Sequence, residues 1–398
     1  MAERRRAAPV SDNEVSPESL RTYKSKRHAN NTKEKSFFDT HLKRKFLLGV
    51  LIVSLLLFFC FALWNTFFSD FDQDSDGVKR SPGSHSQPLN YRTGSGNLKG
   101  FRDIKDQINI VLTFTNIEKN PRLREKLKIC VDSILKHTSS KLVIFLIGDR
   151  FSQIVAGEII DGAALAANSR IRYQLISVDI ESLTRTLNGI LGNIRSHFIS
   201  KPGDYYSDDL FFVSMAMHRV MPTLLHKVIM MDIDTKLQAD VAQLFGHFDH
   251  FAKDHVIGIA HELQPVYRHI LHHYRNENPA THVGGPPPDG FPGFNSGVML
   301  IDLDRLREST LYNSLLQPEI IKNLTEKYKF KGHLGDQDFY TLVALEHPQL
   351  FYVLPCTWNR QLCQWWRDKG YENIFDNYYH CEGNINLYHG NCDTVIPE

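Results

Sequence analysis

The sequence predicts an α/β domain with a mixed, mainly parallel sheet over residues 107–398, and three observations carry that prediction. Apolar runs of strand length alternate with segments whose apolar residues recur at helical spacing, the arrangement that lays helices over a parallel sheet. The runs are apolar at consecutive positions, so their strands are buried on both faces. One of them, Val228-Ile229-Met230-Met231, leads straight into Asp232-Ile233-Asp234. Residues two apart share a face of an extended chain. Both carboxylates can therefore turn into a cleft at the carboxyl end of a strand, where open α/β sheets bind ligands. Close carboxylates repel each other unless a cation lies between them, and oxygen ligands suit Mg²⁺ or Mn²⁺.

The elements follow in order. Residues 108–114 form a first strand, and Leu123, Leu127, Val131, Ile134 and Leu135 mark the apolar face of a helix. A second strand over residues 141–147 ends at Gly148-Asp149, and a third covers 171–178. Ser207 caps a helix running from Asp208 through Met217 to Val220, halted by Pro222. The strand before Asp232 comes next, then strands at 256–259 and 298–301. No internal repeat interrupts the series.

What precedes this domain is of a different kind. Residues 1–45 carry 12 Lys and Arg against 6 Asp and Glu with few apolar residues, the composition of a disordered tail. Residues 46–68 are almost wholly apolar, and as a helix they would reach about 35 Å, against a hydrocarbon core of about 30 Å. A cleaved signal peptide has a shorter apolar region nearer the N-terminus. Lys43-Arg44-Lys45 before the span and Asp70, Asp72, Asp74 and Asp76 after it keep the N-terminus cytosolic. The expectation is a single-pass type II anchor in the bilayer with the bulk of the chain in the secretory lumen. Residues 69–106 are rich in Ser, Gly, Asp, Asn and Pro and are expected to be a flexible stem.

A net charge of +1 excludes a basic field suited to nucleic acid. Cys356, Cys363, Cys381 and Cys392 crowd into the last 43 residues, too widely spaced for the tight pairs zinc prefers. Disulfides suit a lumen better, and four cysteines allow three pairings. Asn323-Leu324-Thr325 is a glycosylation sequon on the luminal side, whereas Asn30-Asn31-Thr32 would be cytosolic and stay bare.

Three later segments carry chemistry. Gly293-Phe294-Asn295-Ser296-Gly297 reads as a polar turn entering an apolar strand. Gly332-His333-Leu334-Gly335-Asp336-Gln337-Asp338 precedes a helix, where acidic residues would also favour the dipole. Tyr388-His389-Gly390-Asn391 follows a strand at 385–387, and an imidazole beside an Asp-x-Asp can complete a Mn²⁺ site.

In this order and spacing the segments resemble the family 8 glycosyltransferases, retaining sugar-nucleotide enzymes of the Rossmann-like GT-A fold, over most of residues 108–398. The resemblance implies Asp232, Asp234 and His389 as ligands of Mn²⁺, with Mg²⁺ as substitute. It implies Thr113, Phe114 and Thr115 at the uracil and ribose, with Ile233, Asn295 and Ser296 in the same donor site. Gln337 would lie beside the anomeric carbon and Asp336 on the donor sugar. One departure stands out. The family follows its histidine with a Gly and then Lys-Pro-Trp, whose lysine holds the diphosphate, but Gly390-Asn391-Cys392-Asp393-Thr394 has none. Another basic residue would have to substitute.

Within the family, Tyr205-Tyr206-Ser207-Asp208, Gln264-Pro265-Val266-Tyr267-Arg268-His269 and Cys356-Thr357-Trp358-Asn359-Arg360-Gln361-Leu362-Cys363 resemble the animal xylosyltransferases. That likeness implies UDP-xylose as donor and α1,3 transfer to the xylose of Xyl-α1,3-Glc-O-Ser on EGF-like repeats of Notch-type proteins. It also implies residence in the endoplasmic reticulum membrane and the pairings Cys356–Cys381 and Cys363–Cys392. Acceptor recognition is expected outside the family motifs, at His269-Ile270-Leu271-His272, Trp366 and Asn391. Core packing is the competing role for Trp365 and Trp366. Gly284-Gly285-Pro286-Pro287-Pro288 is expected as a stiff loop beside the cleft. An enzyme using another UDP-sugar or acceptor and a non-catalytic glycan-binding protein are the rival readings, and a homodimer stays open.

Overall fold

The computed structural model describes residues 90–92, 107–167, 172–199 and 209–397. The expected tail, the anchor over 46–68 and the cap Ser207 lie outside them. Among the described residues no helix is long and apolar enough to cross a membrane.

β1 (Asn90–Arg92) is a short edge strand, so three residues of the expected stem belong to the sheet. β2 (Gln107–Thr113), β3 (Lys141–Gly148) and β4 (Tyr173–Asp179) run parallel and in order outward. They are followed in turn by α1 (Leu123–His137), α2 (Arg150–Ala166) and α3 (Ile180–Arg195). Alternation along each strand sorts side chains between two cores. Val143, Phe145 and Ile147 of β3 pack on the side of Leu183, Leu187 and Leu191 of α3. Leu142, Ile144 and Leu146 pack on the side of Leu127, Val131 and Ile134 of α1.

After α3 the chain returns to the other flank of β2, where β5 (Lys227–Met231) pairs parallel to it. The sheet thus grows from β2 in both directions, and the carboxyl ends of β2 and β5 frame the point where the strand order reverses. β6 (Thr235–Leu237) then leaves for a second sheet. β7 (Ile257–His261), β8 (Phe294–Asp302) and β9 (Phe351–Leu354) complete the main sheet in the order β1-β4-β3-β2-β5-β8-β7-β9. β8 is antiparallel to both its neighbours. The second sheet joins β10 (Arg360–Gln361) and β11 (Leu387–His389) to β6.

Three expectations change. The polar turn at Asn295-Ser296 is the head of β8, which pairs with β7 from Phe294 onward across an irregularity at Ile259/Ala260. Its polar residues point at a cleft rather than at solvent, which is why they imitate a turn. His389 lies inside β11 rather than after a strand, held between Gln361 and Thr235. The helix expected from Asp208 to Val220 is a single α turn, Val213–Ala216, between 3-10 turns at Asp209–Phe212 and Met217–Arg219. Phe212 to Met217 are at most 1% exposed, so packing on all sides, not an amphipathic face, sets that backbone.

Candidate active site

The cleft at the ends of β2 and β5 encloses about 1300 Å³. Asp232 and Asp234 stand just past β5, with the Asp232 N–H donating to Gly297 O at 2.8 Å and Gly390 N–H donating to Asp234 O at 2.7 Å. The antiparallel pairing of β6 with β11 sets His389 beside them. His389 Nε2 lies 3.6 Å from Asp232 Oδ2 and 3.5 Å from Asp234 Oδ1. An octahedral ion with bonds near 2.1 Å wants neighbouring ligand atoms about 3 Å apart, and the three ligand atoms lie within 4.8 Å of one another, near enough to close on a divalent ion by an inward shift. His389 Nδ1 meets Asn359 Oδ1 at 3.0 Å, which leaves Nε2 facing the carboxylates. Gly297 makes room for the ring: a Cβ there would lie 2.1 Å from His389 Cε1.

The charges favour a cation. Burial pulls the His389 pKa down, but Asp232 and Asp234 overcome it and raise it to about 10. Burial likewise opposes ionisation of Asp234, yet His389 and Lys126 hold it at about 2. Burial raises the Asp232 pKa against its hydrogen bond with His389, and the Asp234 charge adds to the rise.

On the β2 side, Thr113, Phe114, Thr115 and Ile233 line the cleft. The loop after β2 is tied down by Asp149, which accepts from Thr115 Oγ1 at 3.0 Å and from Asn116 N–H at 2.8 Å. The same carboxylate caps α2 through Ser152 N–H at 2.9 Å. Burial works against its charge, but the Ser152, Asn116 and Thr115 hydrogen bonds hold it at about 2.

Opposite, α4 (Asp336–Ala344) begins after Gly335, whose φ of 69° lies in the left-handed region. That start sets Asp336 and Gln337 against the head of β8. Ser296 Oγ donates to Asp336 Oδ1 at 2.9 Å, and Ser296 N–H reaches Gln337 Oε1 at 3.4 Å. Asp336 also accepts from Ser214 Oγ. Burial raises its pKa to about 7 against those two hydroxyl hydrogen bonds. Gln337 Nε2 donates to Glu262 Oε2 at 3.3 Å, and Asn295 Nδ2 donates to the same oxygen at 3.1 Å. Glu262 is buried, which pushes its pKa up to about 7, and its Oε1 has no hydrogen-bond partner among the described residues. Such an atom is satisfied by water or by a ligand hydroxyl. Asp338 is a structural acid, accepting from Tyr267 Oη at 2.9 Å and Leu334 N–H at 2.7 Å.

The expected acceptor residues divide. His269 and Trp366 line the cleft with ring centroids 4.8 Å apart. Trp365 lines it too and is 55% exposed, which excludes core packing for that residue. Asn391 is at the cleft, where its Oδ1 accepts from Leu362 N–H at 3.1 Å and Cys363 N–H at 2.9 Å, which fixes the orientation of its amide. Ile270 and Leu271 do not face the cleft: they are 6% and 0% exposed in the hydrophobic core. His272 is exposed and lies off the cleft lining. Successive helical residues turn by about 100°, so one short helix, Val266–Ile270, presents Val266 and His269 to the cleft and turns Ile270 away from it. The loop at 284–288 is not beside the cleft, because Gly285 and the prolines line a separate groove with Arg268 and Arg275. Cys356 is joined to Cys381 and Cys363 to Cys392. Asn323 is exposed on the helix Pro318–Lys327, while Thr325 Oγ1 turns inward to donate to Lys322 O at 2.8 Å.

Sequence reasoning missed Glu262, Asn359 and Lys126. Glu262 follows a strand run as Asp232 does, and that position was the available signal. Asn359 meets His389 across 30 residues and Lys126 meets Asp234 across 108, so neither has a local signature.

Comparison with known proteins agrees with this site. The family model for glycosyl transferase family 8 matches residues 124–389. Human xyloside xylosyltransferase 1 is 45% identical over 293 residues, 73% of this chain and 74% of that protein. The mouse protein of the same name is 43% identical over 305 residues, 76% of this chain and 78% of that one. The crystal structure of the mouse protein in its apo form matches with a TM-score of 0.70 at 43% identity, covering 73% of this chain and all of that one. With a GT-A-like α/β domain and this cleft, the chain belongs to glycosyltransferase family 8.

Proposed function

We propose that this chain is a retaining xylosyltransferase that moves xylose from UDP-xylose to the xylose of Xyl-α1,3-Glc-O-Ser on EGF-like repeats of the Notch type, forming an α1,3 linkage. One observation carries the reading. Asp232, Asp234, His389, Ser296 and Gln337 meet in one cleft of a chain 45% identical, over 73% of its length, to a human protein named xyloside xylosyltransferase 1. An anchor at residues 46–68 with a luminal domain belongs to the same proposal and rests on the apolar run and its flanking charges, while residence in the endoplasmic reticulum rests on the likeness to the xylosyltransferases.

Mn²⁺, or Mg²⁺ in its place, would be held by Asp232, Asp234 and His389 and would supply charge neutralisation for the UDP leaving group. The chain's own residues do the rest. Thr113, Phe114, Thr115 and Ile233 frame the nucleoside, and Asn295 and Ser296 order the carboxyl and amide groups above it. Asp336 lines the cleft beside Gln337, fixed by the Ser214 and Ser296 hydroxyls where it can meet donor-sugar hydroxyls. Gln337 is fixed at both ends of its amide by Glu262 and Ser296. An amide is a poor base, so Gln337 positions the sugar and stabilises positive charge as the glycosidic bond lengthens. Retention follows when the departing phosphate oxygen takes the acceptor proton on the same face. His269, Trp365 and Trp366 offer aromatic faces to the acceptor.

The test is transfer by the full chain, with Mn²⁺, to an EGF-like repeat bearing xylosyl-glucose, comparing UDP-xylose, UDP-glucose, UDP-galactose and UDP-glucuronate. Product from UDP-xylose alone, with the α linkage kept, supports the reading; product from another donor, or none, overturns it. Gln337→Ala is expected to lower kcat about 100-fold with little change in UDP-xylose affinity, and full turnover would remove its role.

A further inference from the structure

The segment after His389 offers a diphosphate no lysine, and the charges in the cleft make that a physical problem. Asp232 and Asp234 bring two negative charges and the diphosphate of a UDP-sugar brings two more. One divalent ion cancels half of the total. Phosphate groups are held against such an excess by fixed cations.

Among the described residues three lysines and arginines line the cleft, all from the start of α1 and the loop before it: Lys119, Arg122 and Lys126. Lys119 is exposed, and the Arg122 side chain is 85% exposed. The Lys126 side chain is only 26% exposed and points across the cleft floor. Its Nζ lies 3.5 Å from Asp234 Oδ2 and 2.9 Å from Asp393 Oδ1. Asp393 is not there by chance of a loose terminus. The Cys363–Cys392 disulfide anchors the turn, and Cys392 and Asp393 have φ values of 57° and 59°. Two successive residues in the left-handed region reverse the chain sharply, at a conformational cost that surrounding structure must offset. The reversal aims the Asp393 carboxylate back at Lys126.

We propose that Lys126 of α1 is the cation that grips the donor diphosphate, held ready across the cleft floor by Asp393. The inference rests on the UDP-sugar reading above. Lys126 Nζ is 3.5 Å from Asp234 Oδ2, so a phosphate oxygen on an ion held by Asp234 would come within its reach. Lys126 therefore exchanges one oxygen partner for another when the donor enters, without travelling. Asp393 holds the ammonium at 2.9 Å meanwhile, which lowers the ordering cost of binding.

Lys126 has a second conceivable job, orienting Asp234 for the metal, and binding measurements on the full chain separate the two. Lys126→Gln and Lys126→Arg are titrated with UDP plus Mn²⁺ by calorimetry, with uridine by saturation-transfer NMR, and with Mn²⁺ alone by electron paramagnetic resonance. Loss of a charged hydrogen bond predicts UDP binding weakened about 10- to 100-fold in Lys126→Gln. Uridine binding stays as in the parent chain, Mn²⁺ alone binds no more weakly, and Lys126→Arg recovers most of the UDP affinity. Unchanged UDP affinity, equal loss for UDP and uridine, or loss of Mn²⁺ along with UDP overturns the proposal. A parent chain that binds no UDP overturns the glycosyltransferase reading as well, and so is told apart from a failure of Lys126 alone.

Discussion

The two walls of the cleft are built by opposite means. On the β2 side, strands of seven and eight residues lie under α1 to α3, and their apolar side chains are almost all fully buried. Cys130 stays a free buried thiol there. On the His389 side, β10 and β11 have two and three residues, and two disulfides and a chain of side-chain amides do the holding. Asn359 Nδ2 donates to Asn295 Oδ1 at 2.9 Å, while Gln361 joins Leu263 N–H to His261 O. Strands that short cannot bury enough apolar area to be stable alone. Covalent and polar clamps replace area wherever a site must be lined by short segments from distant parts of the chain.

The comparison breaks most visibly at the disulfides. Replacing Cys363 and Cys392 by serine opens a link across 29 residues, and Cys356 with Cys381 one across 25. Chain-entropy reasoning gives each about 3.5 kcal/mol, measurable by denaturant unfolding. Loss of the Cys363–Cys392 link should also weaken Mn²⁺ and UDP binding, because its turn carries Asp393 and follows His389 directly. Loss of the Cys356–Cys381 link should cost stability with little change in Mn²⁺ affinity. Equal effects on the metal would mean the second sheet behaves as one unit.

A smaller effect is expected from Asn359→Ala. Removing the partner of a ligating histidine typically costs about 10- to 100-fold in metal affinity, so Mn²⁺ binding should fall in that range while uridine binding persists. If Mn²⁺ binding held, packing around Gly297 alone would be orienting His389.

The smallest effect belongs to the other wall. Asp149→Ala removes the cap of α2 and the tie to Thr115 and Asn116, worth about 1 kcal/mol as a helix cap. The Asp149 pKa is lowered in the fold to about 2. Its contribution is therefore complete above the ordinary carboxylate range near pH 4 and is lost as pH falls toward 2. Unfolding measured at pH 6 and again near pH 3 should show the gap between parent and variant narrowing. A gap that widened in acid would contradict the hydrogen-bonded state of Asp149.

Legibility in the sequence followed the same divide. The β2 wall was readable because runs such as Leu142 to Ile147 state their burial at every position, and the Leu123–Leu127–Val131 spacing states a helix. The other wall was readable only in pieces. Asn295 and Ser296 read as a turn because polar residues in a strand lining a cleft have the composition of a loop. Ile270 and Leu271 read together with His269 because adjacency in sequence hides the rotation of a helix.

By itself, the sequence determined the α/β class, the paired carboxylates Asp232 and Asp234 at a strand end, and cysteine usage suited to disulfides. Each of these is written in periodicity or in neighbours a few residues apart. Only the tertiary structure decided that His389 stands 3.5 Å from Asp234 with Asn359 behind it, that Glu262 holds Gln337, and that Lys126 and Asp393 meet across the cleft floor. Those contacts join elements 30 to more than 250 residues apart, and the reversal of strand order between β2 and β5 and the antiparallel run of β8 bring them together. Periodicity records which face of an element is buried. It does not record what lies across from it.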